Sequence, residues 1–223
     1  LSWKFETRDV TDTWVTIIDT TSIDDTPPKT IKTYGLPFFS NGEFDWISTN
    51  TEIALNAIDQ KESCAIGVAN ITWRNTLLEE ISEEECIAKC DYEGNGLWNE
   101  VLGDKATFFK NEESCHLIEF YSTDLLGNKE EINRQCVFVD NTPPNIIKTV
   151  GNPNVLCSSV GDQTCDYYVR QDTDISLNCK DIRPHPSNNV TIHWKIKADN
   201  EEEEFSENSE NVIINFKENS LHQ

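Results

Sequence analysis

DDTPPKTIKTYG (Asp24–Gly35) and DNTPPNIIKTVG (Asp140–Gly151) agree at eight of twelve positions, at a constant offset of 116 residues. A period of that size is too long for a solenoid unit and suits a whole small domain. The chain therefore reads as tandem copies of one domain, with the quoted stretch at each joint. Proline lacks an amide N–H and its fixed φ stops a sheet from running on. Thr-Pro-Pro thus ends the last strand of one domain and stiffens the step into the first strand of the next.

The repeat extends outward from these joints. EIALNAID (Glu52–Asp59) matches DISLNCKD (Asp174–Asp181) at an offset of 122, the six added residues falling in LCSSVGDQTCDYY (Leu156–Tyr168). ANITWRN (Ala69–Asn75) is similar to NVTIHWKI (Asn189–Ile196), each with one Trp. NSLHQ (Asn219–Gln223) matches ESCHL (Glu113–Leu117) at an offset of 106, because the first copy carries an insertion, ISEEECIAKCDYEGNGLW. Segments such as IALNAI, TIHWKIK, ATFFK, HLIEFY and VIINF are short, β-branched or aromatic, and partly alternating, which predicts strands. LLEEISEEECIAKC (Leu77–Cys90) is the one helical stretch predicted. Strands at this spacing, separated by turns, predict an all-β chain of antiparallel sandwiches. A Trp on the third strand is a hallmark of immunoglobulin-type cores, so Trp73 and Trp194 are expected to be buried core residues.

In order along the chain, HLIEFYSTDLLGN, VFVDNTPP, KTVGNP, DYYV, DISLNC and D-x-x-PHPS (Asp181–Ser187) resemble the tandem immunoglobulin-like repeats of archaeal and bacterial cell-surface proteins. The resemblance implies a large exported surface protein with no catalytic residues to carry over. It divides the chain into residues 1–26, a pair of last strands from an incomplete domain; 27–141, a complete domain; and 142–223, a domain lacking its last two strands.

Composition narrows the function classes. The formal charge of −22, from 40 acidic and 18 basic residues, repels nucleic acid and anionic lipid and attracts cations. No apolar run approaches the roughly 18 residues of a membrane span. EEEE (Glu201–Glu204) and the acidic cluster Glu79–Glu85 read most simply as solvated loops. The eight Cys form no paired C-x-x-C knuckles, and the four His sit at no ligand spacing near them. Disulfides in an oxidising compartment are therefore expected rather than zinc. Cys157 and Cys165 bracket a short loop that a disulfide would close. Cys86 and Cys90, one helical turn apart, each reach elsewhere. Two sequons, at Asn70 and Asn189, fit an exported glycoprotein. The absence of an initiator Met and signal peptide reads as a mature or excised piece of something longer. No phosphate loop, His-containing metal motif or nucleophile elbow is present, so no enzyme activity is expected.

Calcium is the one cofactor considered. Asp59 and Asp181 follow the second strand of each copy, Asp124 precedes the last turn, and Asp24, Asp25, Asp140 and Asn141 sit at the joints. Hard cations take several oxygen ligands. The alternative is that Asp and Asn simply favour turns.

The ends of the chain raise a further expectation. NSLHQ brings the second full copy to the start of its sixth strand. The opening residues, up to Pro28, read as a sixth and seventh strand with nothing before them. Leu1, Trp3, Phe5 and Thr7 alternate as His116, Ile118, Phe120 and Ser122 do, and Asp9 falls where Asp124 does. Residues 1–26 of one chain are thus expected to complete the second sandwich of another copy, giving head-to-tail assembly into a filament or surface layer. A continuous longer polypeptide is the competing explanation. A second function class is a carbohydrate- or protein-binding module, which predicts aromatics such as Trp3, Trp14, Trp46 and Trp98 clustered on one face.

Overall fold

The computed structural model describes residues 2–12, 14–59, 64–79, 82–182, 186–198 and 201–217. Leu1 and the terminal NSLHQ, both used in the strand-completion reading, lie outside the described residues. The chain divides into two units, Leu1–Val139 and Asp140–Gln223. Among the described residues both are built from strands, with one α-helix in the first unit. No helix among the described residues is long and apolar enough to cross a membrane.

The first unit opens with a hairpin, β1 (Ser2–Arg8) and β2 (Trp14–Thr20). There follow β3 (Lys29–Tyr34), β4 (Phe38–Ser40), β5 (Asp45–Ile47), β6 (Ile53–Ile58) and β7 (Val68–Leu77). After helix α1 (Glu83–Cys90) come β8 (Asn99–Leu102), β9 (Lys105–Phe108), β10 (Cys115–Asp124) and β11 (Asn133–Val139). They form a three-stranded sheet, β3-β6-β9, and a six-stranded sheet, β4-β5-β11-β10-β7-β8. Successive side chains on a strand face opposite ways, and the burial follows that period. Ile53, Leu55 and Ala57 of β6 meet Ile71, Ile118, Phe120, Val137 and Val139 of the larger sheet in one core between the two sheets.

The helix is shorter than the sequence predicts. Leu77 ends β7, and the helix starts only after Ser82, whose hydroxyl and Glu85 form a reciprocal capping box. Disulfides Cys86–Cys115 and Cys90–Cys136 staple it to β10 and β11. Beneath it Trp46 and Phe138 stack with ring centroids 5.6 Å apart, beside Phe39 and Phe44.

The second unit contains β12 (Asn145–Val150), β13 (Asn154–Leu156), β14 (Tyr167–Val169), β15 (Ile175–Lys180), β16 (Ile192–Ala198), β17 (Glu201–Glu207) and β18 (Asn211–Ile214). A disulfide joins Cys157 and Cys165 across the loop between β13 and β14. The opening motif has the same fine structure in both units. Gly35 N–H donates to Glu52 C=O and Gly151 N–H to Asp174 C=O, each at 2.8 Å. A Cβ at Gly151 would sit 2.9 Å from the Asp174 carbonyl oxygen, which accounts for glycine there. The buried Thr51 and Thr173 hydroxyls donate to the carbonyls of Pro37 and Pro153 at 2.6 and 2.9 Å.

Three readings of the sequence need correction. The acidic cluster Glu79–Glu85 is not all loop: Glu83–Glu85 form the first turn of α1, where carboxylates face the positive end of the helix dipole. Glu201–Glu204 is not a loop: it opens β17, paired with β16, where Lys195 Nζ reaches Glu202 at 2.5 Å and Glu204 at 2.8 Å. Opposite charges across the strands let an all-glutamate run adopt a strand. Trp73 and Trp194 lie on the corresponding strands β7 and β16, but both are half-buried. Each stacks on one phenylalanine at its core's margin, Trp73 on Phe108 and Trp194 on Phe205.

Candidate functional site

Two places in the fold combine chemistry with incompleteness. The first is the sheet organisation of the second unit. Shifted by the repeat offsets, β12, β15 and β18 correspond to β3, β6 and β9, and form the equivalent three-stranded sheet, β12-β15-β18. Likewise β13 and β14 correspond to β4 and β5, and β16 and β17 to β7 and β8. In the first unit those four strands flank β11 and β10 in one continuous sheet. In the second unit they form two separate two-stranded sheets, with no strand between β14 and β16 among the described residues.

The β1–β2 hairpin has the pairing of the two strands at issue. Shifting β1 by 115 and β2 by 116 turns Ser2↔Thr20, Trp3↔Asp19, Lys4↔Ile18 and Phe5↔Ile17 into Leu117↔Cys136, Ile118↔Gln135, Glu119↔Arg134 and Phe120↔Asn133. The turn matches as well. Asp124 Oδ1 accepts the N–H of Leu126 (2.9 Å) and its carbonyl that of Gly127 (3.2 Å), Gly127 having φ of 91°. Asp9 Oδ1 accepts the N–H of Thr11 (2.8 Å) and its carbonyl that of Asp12 (3.2 Å), Asp12 having φ of 68°. Every described residue of both hairpin strands is exposed. One face carries Trp3, Phe5, Val15 and Ile17 together with Thr7 and Asp19; the other carries Lys4, Glu6, Arg8 and Thr16 together with Trp14 and Ile18, with an ion pair between Lys4 and Glu6. The apolar face corresponds to the Ile118–Phe120 face that the first unit buries.

The second place is acidic. Asp24, Asp59 and Asp124 each present a carboxylate oxygen within 4.8 Å of the others. Asp24 precedes β3, Asp59 follows β6, and Asp124 ends β10, so residues far apart in sequence meet at one end of the sandwich. Asp24 Oδ1 accepts Thr26 N–H (3.2 Å) and its Oδ2 accepts Ile66 N–H (3.0 Å). The next amide, Gly67 N–H, donates to Asp59 Oδ2 at 2.6 Å. Asn128 Nδ2 ties the Asp24 carbonyl (3.1 Å) to Asp124 Oδ2 (2.7 Å). Burial pushes the Asp124 carboxyl up, but hydrogen bonds from Asn128, Leu126 and Gly127 outweigh it and hold the group below the usual aspartate value. An open cleft of about 390 Å³ beside the cluster is lined by Asp59, Gly67, Val68, Gly103 and Asp104.

The remaining residues singled out by sequence fall elsewhere. Asp25 is exposed and outside the cluster. Asp140 Oδ1 accepts Thr142 N–H at 3.1 Å, as Asp24 does from Thr26. Asp181 Oδ2 accepts the N–H of Asn188 (3.2 Å, φ of 54°), as Asp59 does from Gly67 (φ of 98°). Asn141 is exposed. Asn70 sits within β7 with its Oδ1 buried, a poor position for a glycan, whereas Asn189 is exposed ahead of β16. Of the four unassigned tryptophans, Trp46 is buried, Trp98 packs edge-on against Tyr121, and Trp3 and Trp14 lie on opposite faces of the hairpin.

Sequence reasoning did not single out the buried Glu119, which binds the most strongly charged network in the fold. Its carboxylate accepts from Arg74 Nε (2.6 Å), Arg134 Nε (3.0 Å) and Gly94 N–H (3.0 Å). Burial pushes this carboxyl up, but those hydrogen bonds and the Arg74 charge outweigh it and keep the group below the usual glutamate value. Glu119 in HLIEFY breaks an apolar run, which is the only sequence signal it leaves.

No family model matches the chain, and no curated protein sequence matches it.

Proposed function

We propose that the chain is a structural protein of the cell exterior, built of tandem immunoglobulin-like sandwiches, that assembles head to tail: the β1–β2 hairpin of one copy enters between β14 and β16 of the next. The observation that carries this reading is the correspondence between the two units. One holds an unbroken β4-β5-β11-β10-β7-β8 sheet, the other has the flanking pairs without the central two strands among its described residues, and a hairpin with the central pair's register stands exposed. Added strands supply backbone hydrogen bonds to two open edges and cover the apolar face on both sides. The contact joins different surfaces of identical chains, so it propagates. Three disulfides fit an oxidising, extracellular setting. The ligand-binding alternative asks for aromatics on one shared face, and the four tryptophans do not share one.

A cysteine placed by register tests the assembly. Thr7 corresponds to Ser122, and the buried thiol Cys179 on β15 corresponds to Ala57 on β6. In the first unit the Glu130 carboxylate bridges Ser122 Oγ (3.0 Å) to Thr30 Oγ1 (2.6 Å), and Thr30 is the cross-strand neighbour of Ala57. Thr7→Cys, oxidised and run on a non-reducing gel, should therefore give a ladder of covalent multimers through Cys179. Glu6→Cys, on the opposite hairpin face, should give none. A folded Thr7→Cys chain that stays monomeric overturns self-assembly through this hairpin.

A further inference from the structure

We infer that Asp24, Asp59 and Asp124 bind one calcium-class divalent cation, which clamps the segment entering β3 to the turns after β6 and β10. The inference concerns the first unit alone and does not depend on assembly.

Three observations carry it. The three carboxylates come from separate parts of the chain, yet each has an oxygen within 4.8 Å of the other two. A calcium ion with ligands at roughly 2.3–2.6 Å spans that separation between oxygens on opposite sides of it. Second, Asp59 Oδ1 is buried and has no hydrogen-bond partner among the described residues, and Asp59 as a whole is 8% exposed. A buried carboxylate oxygen left without donor or counter-charge is costly, and a cation in contact with it removes the cost. Third, no lysine or arginine among the described residues forms an ion pair with any of the three, although Glu119 in the same unit has two arginines.

The donors that do reach the cluster hold the carboxylates in place without neutralising them. Backbone amides of Thr26, Ile66, Gly67, Leu126 and Asn128 each orient an oxygen, and each is uncharged. The set is oxygen only, with no imidazole or thiol, which selects hard cations over zinc or copper. The irregular cage, drawn from two loop segments and the end of β10, suits the flexible coordination of calcium better than the strict octahedron of magnesium. Asp104 on the adjoining cleft adds a fourth carboxylate beside the path from solvent.

The test is calcium titration of the full chain by calorimetry, with thermal unfolding recorded at each calcium concentration. Calcium is expected to bind in the range of extracellular modules, a dissociation constant of about 0.1–1 mM or tighter, and to raise the melting temperature. Asp59→Asn should weaken that binding at least tenfold. Asp24→Asn, at a half-exposed position, should weaken it in the same direction. Asp25→Asn, outside the cluster, should match the wild type. The inference is overturned if the wild-type chain shows neither heat nor a melting shift at about 10 mM calcium, well above that range. It is equally overturned if Asp59→Asn binds as the wild type does. Magnesium binding as tightly as calcium overturns the calcium assignment.

Discussion

Ile53, Leu55 and Ala57 on β6 are all buried, whereas at the same positions of β15 Ile175 and Leu177 are half-exposed and only Cys179 is buried. The core follows suit: ten buried residues cluster in the first unit and four in the principal cluster of the second. Pro28 is buried and Thr30 bonds Glu130 of the β10–β11 connection, while Pro144 and Ile146 at the matching positions are exposed. The two units share their motifs, strand order and turn geometry, so local propensity does not explain the difference. What differs is the β10–β11 hairpin and the disulfide-stapled helix α1 that packs on it. A strand with the right pattern becomes a core strand only when something covers its apolar face.

The comparison is sharpest at Phe120 and Phe5, which occupy equivalent hairpin positions. Phe120→Ala should destabilise the first unit by about 4 kcal/mol, the cost of emptying a packed aromatic site. Phe5→Ala should change the stability of the isolated chain by less than about 0.5 kcal/mol, because that ring is exposed. Denaturant unfolding of both variants measures the contrast. Equal effects would break the equivalence drawn between the hairpins.

One residue earlier the same comparison concerns charge. Glu119→Gln should cost about 3 kcal/mol, since Arg74 loses its buried partner. Its hairpin counterpart, Lys4, pairs only with exposed Glu6, and Lys4→Ala should be nearly silent. The folded-state pKa of Glu119 is lowered, so the stability it adds is fully present above the unfolded glutamate value of about 4.3 and is lost as pH falls below it. Stability curves for wild type and Glu119→Gln, measured from pH 7 downward, should therefore converge in that acid window.

The smallest expected difference lies in the disulfides. Cys90–Cys136 closes a separation of 46 residues and Cys157–Cys165 one of 8. Chain-entropy estimates give about 4 kcal/mol for the first and about 2.5 kcal/mol for the second. Cys90→Ser with Cys136→Ser, against Cys157→Ser with Cys165→Ser, measures the gap by chemical unfolding.

Much of this was legible in the sequence because the repeat supplied an internal alignment. The offsets that align the DxTPP stretches and the β6/β15 strands also align Asp24 with Asp140 and Asp59 with Asp181, and shifts of 115 and 116 superimpose the hairpin registers and turn bonds. Three of the seven acidic or amide residues singled out, Asp24, Asp59 and Asp124, meet in space. Others could not be ranked, since turn-forming Asp and ligand Asp look alike until the loops are placed. The strands β4 and β5 were missed because three residues are too few to show a period, and β5 pairs with β11 in parallel, a contact no local pattern announces. The EEEE strand was missed because its stabilising lysines lie on the partner strand. Trp46 carried no signal of burial, for its covering helix comes from the insertion.

Asp9 gives the hairpin a second consequence. Asp140 and Asp181 each repeat one backbone hydrogen bond of Asp24 and Asp59, and Asp9 repeats two of those made by Asp124. A hairpin that docks into the second unit of another copy carries Asp9 to the place of a third carboxylate, so the acidic triad there would be divided between two molecules. Binding to such a divided triad is thermodynamically reciprocal: whatever calcium adds to the grip between chains, the grip adds to the affinity for calcium. Each junction would then take up about one ion as it forms, and the abundance of a single external electrolyte would set how long the chains of molecules grow.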